Sequence, residues 1–191
     1  LLYSVLKLSG YDIGELSEFR RVGGLPGHPE YGIDGVDATT GPLGQGVGNA
    51  VGMALAEKIN KTDARVYCLC SDGDLMEGVA QEAIALAGRY KLNNLVLLWD
   101  DNGISIDGRA LTDVDVPARM VAAGWKVLSV DGHDYVRINR ALENAKKSDV
   151  PVFIQCKTEI GYGSSLAGSN KAHGLALNDA ELMTLVQKFL S

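Results

Sequence analysis

No apolar run in this 191-residue chain approaches the roughly 18–20 residues that a bilayer-spanning helix needs. The opening Leu1-Leu2-Tyr3-Ser4-Val5-Leu6-Lys7 also lacks the basic start and the length of a secretory signal. A soluble, cytoplasmic protein without a membrane partner is expected. Basic residues are in the minority, 18 against 24 acidic, giving a net charge of −6 and a pI of about 5.0. No broad cationic surface for a phosphodiester backbone follows from that balance, so nucleic acid is not an expected partner. Cysteine is limited to three residues. Cys68 and Cys70 stand two apart in an apolar segment, where extended geometry turns both to one sheet face, and Cys156 is alone. Such a set excludes a four-ligand thiolate site and fits packing in a reducing compartment. The chain has no initial methionine and starts in a helical apolar pattern (Leu2, Val5, Leu6, Leu8), which suggests a piece of something longer.

Glycine is what the chain has in excess, 23 residues or about 12% against a usual ~7%, while proline is scarce at 5. The glycines cluster at 23–52, 73–78, 103–108 and 161–174, between or beside apolar segments. Loops of this kind let a backbone approach a ligand closely. Four short apolar runs, 66–70, 95–99, 125–130 and 152–156, have strand character, and helical spacing is present over 46–59, 77–90 and 135–147. This alternation predicts an α/β fold, a doubly wound and mainly parallel sheet with helices on both faces, with ligands at the carboxyl ends of its strands. A last helix is expected over 178–191, capped by Asn178 or Asp179, with Leu182, Leu185, Val186 and Phe189 as a face that must dock on something. Neither an internal repeat nor a long linker divides the chain.

The loop Ser71–Gly78, "SDGDLMEG", follows the first strand run, and "DDNGISIDG", Asp100–Gly108, follows the second. In the first, Gly73 would let the turn come close to a phosphate, and Asp72 is placed to hold a cation that bridges phosphate oxygens. In the second, the side-chain carbonyl of Asn102 and the backbone carbonyl of Ile104 are neutral oxygen ligands that would complete a magnesium shell. An Asp-Gly turn with a helix cap, or an Asn-Gly left-handed turn, explains either loop alone without any ligand. Asn102 lies 30 residues after Asp72.

That paired spacing resembles the diphosphate motif of thiamine diphosphate enzymes, and further segments narrow the resemblance to the transketolase family. They are "PGHPE" at 26–30, "TTGPLGQG" at 39–46, "DLMEG" at 74–78, "DGHD" at 131–134, "CKTEIGYGS" at 156–164 and "KAHG" at 171–174. The resemblance covers almost the whole chain but a minority of a transketolase. It implies a thiamine diphosphate-binding domain over 1–177, incomplete at its N-terminus, with 178–191 as a C-terminal helix or the start of a linker. A family segment with a histidine near the diphosphate would precede residue 1. Ser71 departs from the family's usual glycine, which bears on cofactor affinity.

By the same resemblance, Asp72, Asn102 and the carbonyl of Ile104 bind magnesium or calcium. Gly41, Leu43, Asp72, Gly73, Asn102, Ile106 and His173 contact thiamine diphosphate, and His28 and His173 act on the substrate. Glu77 and Glu82 would lie at a subunit interface, although such glutamates are ordinarily a solvated face. His133, in "DGHD", is a structural turn. The implied reaction moves a two-carbon ketol unit from a ketose phosphate to an aldose phosphate. It needs a pyrimidine-binding domain, in the same chain or a separate subunit, within a homodimer or a split-subunit oligomer. Two alternatives stand beside it: a non-catalytic scaffold paralogue, and a related enzyme such as deoxyxylulose-phosphate synthase.

Overall fold

The computed structural model describes residues 1–111 and 113–190. Four parallel strands form the central sheet: β1 (Val66–Ser71), β2 (Leu95–Asp101), β5 (Lys126–Asp131) and β6 (Val152–Lys157), in the order β1-β2-β6-β5. Each coincides with an expected run to within about two residues at its ends. The runs are legible because Val96, Leu97, Val152, Phe153 and Ile154 are buried whichever face they take. Helices α2 (Gln45–Asn60), α3 (Gly78–Arg89) and α4 (Val116–Ala122) pack on one face, and α5 (Tyr135–Ala145) packs on the other. The α/β class with helices on both faces is therefore as expected. Cys70 is buried in the first of these cores with Cys68 packed against it, and desolvation raises both thiols, Cys68 to about 11.

A satellite cluster of Tyr3, Leu6, Ile13, Leu25 and Val36 sits beneath α1 (Leu2–Leu8) and the segment that follows it. There the Tyr3 hydroxyl donates to the Pro26 carbonyl at 3.0 Å, which holds the start of "PGHPE". At the β1 edge, Tyr67 and Leu69 are 47% and 61% exposed, so the sheet is uncovered there. Helix α6 (Asp179–Leu190) forms where expected, with Asn178 Oδ1 accepting from the Glu181 amide at 3.0 Å. Of its anticipated apolar face only Leu185 is half-buried, while Leu182, Val186 and Phe189 stay exposed. Two elements lack a sequence signal: α4, which carries a proline in its first turn, and the two-residue hairpin of β3 (Ile104–Ser105) with β4 (Gly108–Arg109). Among the described residues no helix is long and apolar enough to cross a membrane.

Helices α3 and α4 meet closely at Gly88, where a Cβ would lie 1.7 Å from the Ala123 carbonyl oxygen. Gly52 in α2 faces open space. Gly88→Ala is therefore expected to destabilise the fold by about 3 kcal/mol, the upper end for overpacking. Gly52→Ala should stabilise it by about 0.5–1 kcal/mol through helix propensity. Urea unfolding checks the pair, and similar effects at both sites would contradict this packing.

Candidate functional site

Strands β1 and β2 run parallel with Ser71 opposite Asp100, so the residues just past both strands emerge side by side at the carboxyl edge. Asp72 is there, 1% exposed. Its Oδ1 accepts from the Trp99 indole N–H at 3.2 Å, and its Oδ2 accepts from the Gly103 amide at 3.0 Å. Desolvation, then the nearby charge of Asp101, push the Asp72 carboxyl up to about 6, against the lowering effect of donors from Gly103, Trp99 and Asn102. The ion pairs among the described residues all lie elsewhere. In the folded chain Asp72 thus keeps a proton up to about pH 6, against 3.8 as the reference value. Its ionisation costs stability as pH rises through that window, and a cation beside it would remove the cost.

The next loop, which reaches this carboxylate through the Gly103 amide, carries neutral oxygens. Asn102 Oδ1 accepts the Ile104 amide at 2.9 Å and retains a second lone pair. The left-handed residue of this Asn-Gly turn is Gly103, at φ +69, and Asn102 itself is not left-handed. Among the described residues no three His, Cys, Asp or Glu side chains cluster to hold a metal. One carboxylate with amide and peptide carbonyls suits a hard cation that takes its remaining ligands from a phosphate or water, and does not suit zinc.

The loop before α2 is locked to the one after β1. Asp74 accepts the Gly44 amide at 2.8 Å on Oδ1, and the Ser71 amide and hydroxyl at 2.8 Å each on Oδ2. Ser71 is the last residue of β1, so its side chain serves as a ligand of Asp74 without distorting the backbone. Gly73 has φ −61 and ψ −42, which any residue adopts; a Cβ there would lie 3.2 Å from a Leu43 methyl, so that side chain would have to give by a few tenths of an ångström. Gly41, at φ +143, needs glycine on both counts, since a Cβ would meet the His28 ring at 3.1 Å. A cleft of about 230 Å³ between the loops is lined by Thr40, Gly41, Leu43, Cys70 and Asp74. Within the loop after β1 a 3-10 turn, Asp74–Met76, precedes α3, which opens at Gly78 where the helical spacing places it.

The remaining expected residues lie at the surface. His28, Leu43, Ile106 and His173 are exposed. His173 ends a 3-10 turn, Asn170–His173, whose Asn170 side chain donates to the Ile106 carbonyl at 3.2 Å. That bond ties the His173 turn to the loop after β2, while no hydrogen bond among the described residues links the His173 ring to Asp72. Glu77 and Glu82 are exposed, but Glu77 precedes α3 in an extended conformation, so the two do not share the helix as expected. A larger cavity of about 550 Å³, lined by Leu2, Val36, Met53, Tyr67 and Leu69 among others, contains none of the expected site residues. Trp99 and Asp74 were not singled out from sequence. An indole in mid-strand reads as core, and only the fold shows its N–H on Asp72.

Comparison with known proteins agrees with this geometry. The family model described as transketolase, thiamine diphosphate binding domain, matches residues 1–190. A transketolase of Rhodobacter capsulatus is 51% identical over 197 residues, spanning 95% of this chain and 29% of that protein. The crystal structure of a Campylobacter jejuni transketolase superposes with a TM-score of 0.95 at 46% identity, over 98% of this chain and 32% of that one. A Pichia stipitis transketolase in complex with sedoheptulose-7-phosphate gives 0.93 at 41%, over 98% and 30%. The chain spans about three tenths of the length of these relatives. With the family model matched over nearly its full extent, the chain belongs to the transketolase family and corresponds to that family's thiamine diphosphate binding domain.

Proposed function

We propose that this chain supplies the diphosphate- and metal-binding half of a transketolase site, working on sugar phosphates with a pyrimidine-binding domain. The observation that carries the proposal is Asp72, a buried carboxylate with hydrogen-bond donors on both oxygens and no cationic side chain paired with it. That environment fits a divalent cation, magnesium or calcium, held by Asp72, Asn102 and the Ile104 carbonyl. Sedoheptulose-7-phosphate is the sugar phosphate of the Pichia stipitis complex, and we extend that substrate class to this chain.

Bound thiamine diphosphate supplies the nucleophilic carbon and electron sink for moving a two-carbon unit from a ketose to an aldose. The chain's own residues position it. Gly41 and Gly73 leave room beside His28 and Leu43, and Leu43 with Ile106 offers apolar surface to the cofactor rings. His28 and His173, both exposed, hold substrate hydroxyls and carry protons during carbon–carbon cleavage. Activation draws on a glutamate of the pyrimidine-binding domain across a dimer or split-subunit interface, beside which Glu77 and Glu82 lie. Residues 1–177 form the cofactor-binding unit and 178–191 lead onward from it. Three unpaired thiols suit a cytoplasmic, reducing compartment.

Calorimetry should find thiamine diphosphate binding to the chain and its complementary domains strictly dependent on a divalent metal, and lost in Asp72→Ala; unchanged affinity would remove Asp72 from the site. Proton and metal compete for the same carboxylate. Metal affinity should therefore fall about tenfold per unit below the pH of about 6 at which Asp72 protonates and level off above it. A flat profile from pH 4 to 8 would contradict the ligand role. His173→Ala should keep the cofactor complex but lower turnover by roughly two to four orders of magnitude. Finally, the chain without complementary domains should transfer no ketol units, and adding them should restore transfer; unaided activity would show that the site is not divided.

A further inference from the structure

The turn between β5 and α5 holds a histidine that the proposed reaction does not use. Asp131 Oδ1 accepts the His133 amide at 2.9 Å, and Asp134 Oδ1 caps α5 by accepting the Val136 and Arg137 amides at 3.0 Å each. Those bonds complete the turn without the His133 ring. The ring points instead across to the segment after β6: Nε2 accepts the Glu159 amide at 3.1 Å, and the imidazole stacks on Tyr162, with centroids 3.9 Å apart and planes 21° from parallel. Beside it the Gly132 amide donates to the Lys157 carbonyl at 2.8 Å. A Cβ on Gly132 would meet Thr158 Cγ2 at 2.4 Å, so the turn is seated directly on the exit of β6.

From Thr158 to Ser169 the chain has no helix or strand, only turns, with left-handed glycines at 161, 163 and 168. A segment of that composition has large freedom to lose, so its course depends on a few anchors. The His173 turn at its far end is tied to the Ile106 carbonyl by Asn170. At its near end Thr158 is tied to β2, its amide donating to the Asp101 carbonyl at 3.1 Å and its hydroxyl to Asp100, and the next residue, Glu159, is held by His133. Helix α6 adds Phe189, 6.0 Å from the Tyr162 ring, on the outer side.

We propose that His133 is a positioning residue, whose imidazole accepts the Glu159 amide and stacks on Tyr162 so that the segment is directed to bring His173 to the site. The inference rests on the reading of His173 as a site residue. A nitrogen that accepts carries no hydrogen, so this contact requires the tautomer with its proton on Nδ1. Protonation places a hydrogen on Nε2 against the Glu159 N–H and abolishes that bond, while stacking survives as a cation–π contact. The charged and titratable groups around the ring are Asp131 and Asp134 in its own turn, Lys157, Glu159 and Tyr162 in the opposing segment, and Lys188 of α6, whose Nζ is 5.7 Å from the Tyr162 ring.

Two variants separate the contacts, both made in the protein complete with its other domains. His133→Phe keeps a stacking ring and removes the acceptor, and His133→Gln keeps an acceptor and removes the ring. In His133→Phe the Glu159 amide should exchange hydrogen at least tenfold faster, protection should fall across 160–173, and kcat should drop about tenfold with cofactor affinity unchanged. His133→Gln should recover most of the Glu159 protection. In the unaltered protein, ¹⁵N spectroscopy should show a bare Nε2 at neutral pH, a readout that holds even where a variant fails to fold. A protonated Nε2, or unchanged Glu159 exchange in His133→Phe, overturns the contact, and a loosened segment with full turnover overturns the positioning role. The two readings fail separately: full turnover in His173→Ala removes His173 from the site, whereas the Glu159 exchange result stands or falls on His133 alone.

Discussion

The carboxylate of Asp72 is buried at the carboxyl edge of two parallel strands, held by the Trp99 indole and the Gly103 amide, with no positive side chain among the described residues paired to it. An ionised carboxylate in that position is costly unless a cation accompanies it. The surroundings keep that requirement in place. Trp99 stacks on Phe153 in the core at 5.8 Å between ring centroids, which fixes the indole N–H. Strand β2 then turns through Gly103 to aim its amide at the other oxygen. The scaffold thus holds Asp72 by neutral donors rather than by an internal ion pair, the feature on which the proposed metal role rests.

A second set of constraints is steric and joins loops distant in sequence. Asp74 accepts from Gly44 and Ser71, and this fastens the loop before α2 to the loop after β1. Gly41 lies against His28, and Gly73 lies against Leu43. Each glycine marks where two loops approach closely, and at Gly41 the positive φ adds a second reason for glycine. Other clustered glycines have a different cause: Gly103 and Gly108 face open space and take positive φ. Ser71, where the resemblance leads one to expect glycine, is accommodated because its hydroxyl bonds Asp74 from ordinary strand geometry.

Much of this was legible beforehand. Strands buried on both faces read as short apolar runs, and Asp72 with Asn102 stood out because each follows such a run. What escaped was decided by contacts across the fold. The α4 helix has only Val116 and Met120 buried, and the β3–β4 hairpin is too short to show a period. Trp99 looked like packing, and Glu77 looked helical, whereas it is the extended residue just before α3. His133 could be read only as a turn residue, because its partners Glu159 and Tyr162 reach it from the far side of β6. Periodicity reports which face a residue takes, but not the partner its polar atom finds there.

Titration of the Asp72 carboxyl by ¹³C NMR tests the central claim most directly, first in the chain alone and then with magnesium and thiamine diphosphate. Alone, the signal should titrate near the elevated value of about 6, and with the metal and cofactor it should stay that of a carboxylate down to at least pH 4. A carboxyl that titrates near 3.8 in the chain alone, or one whose midpoint does not move when metal and cofactor are added, would contradict the account.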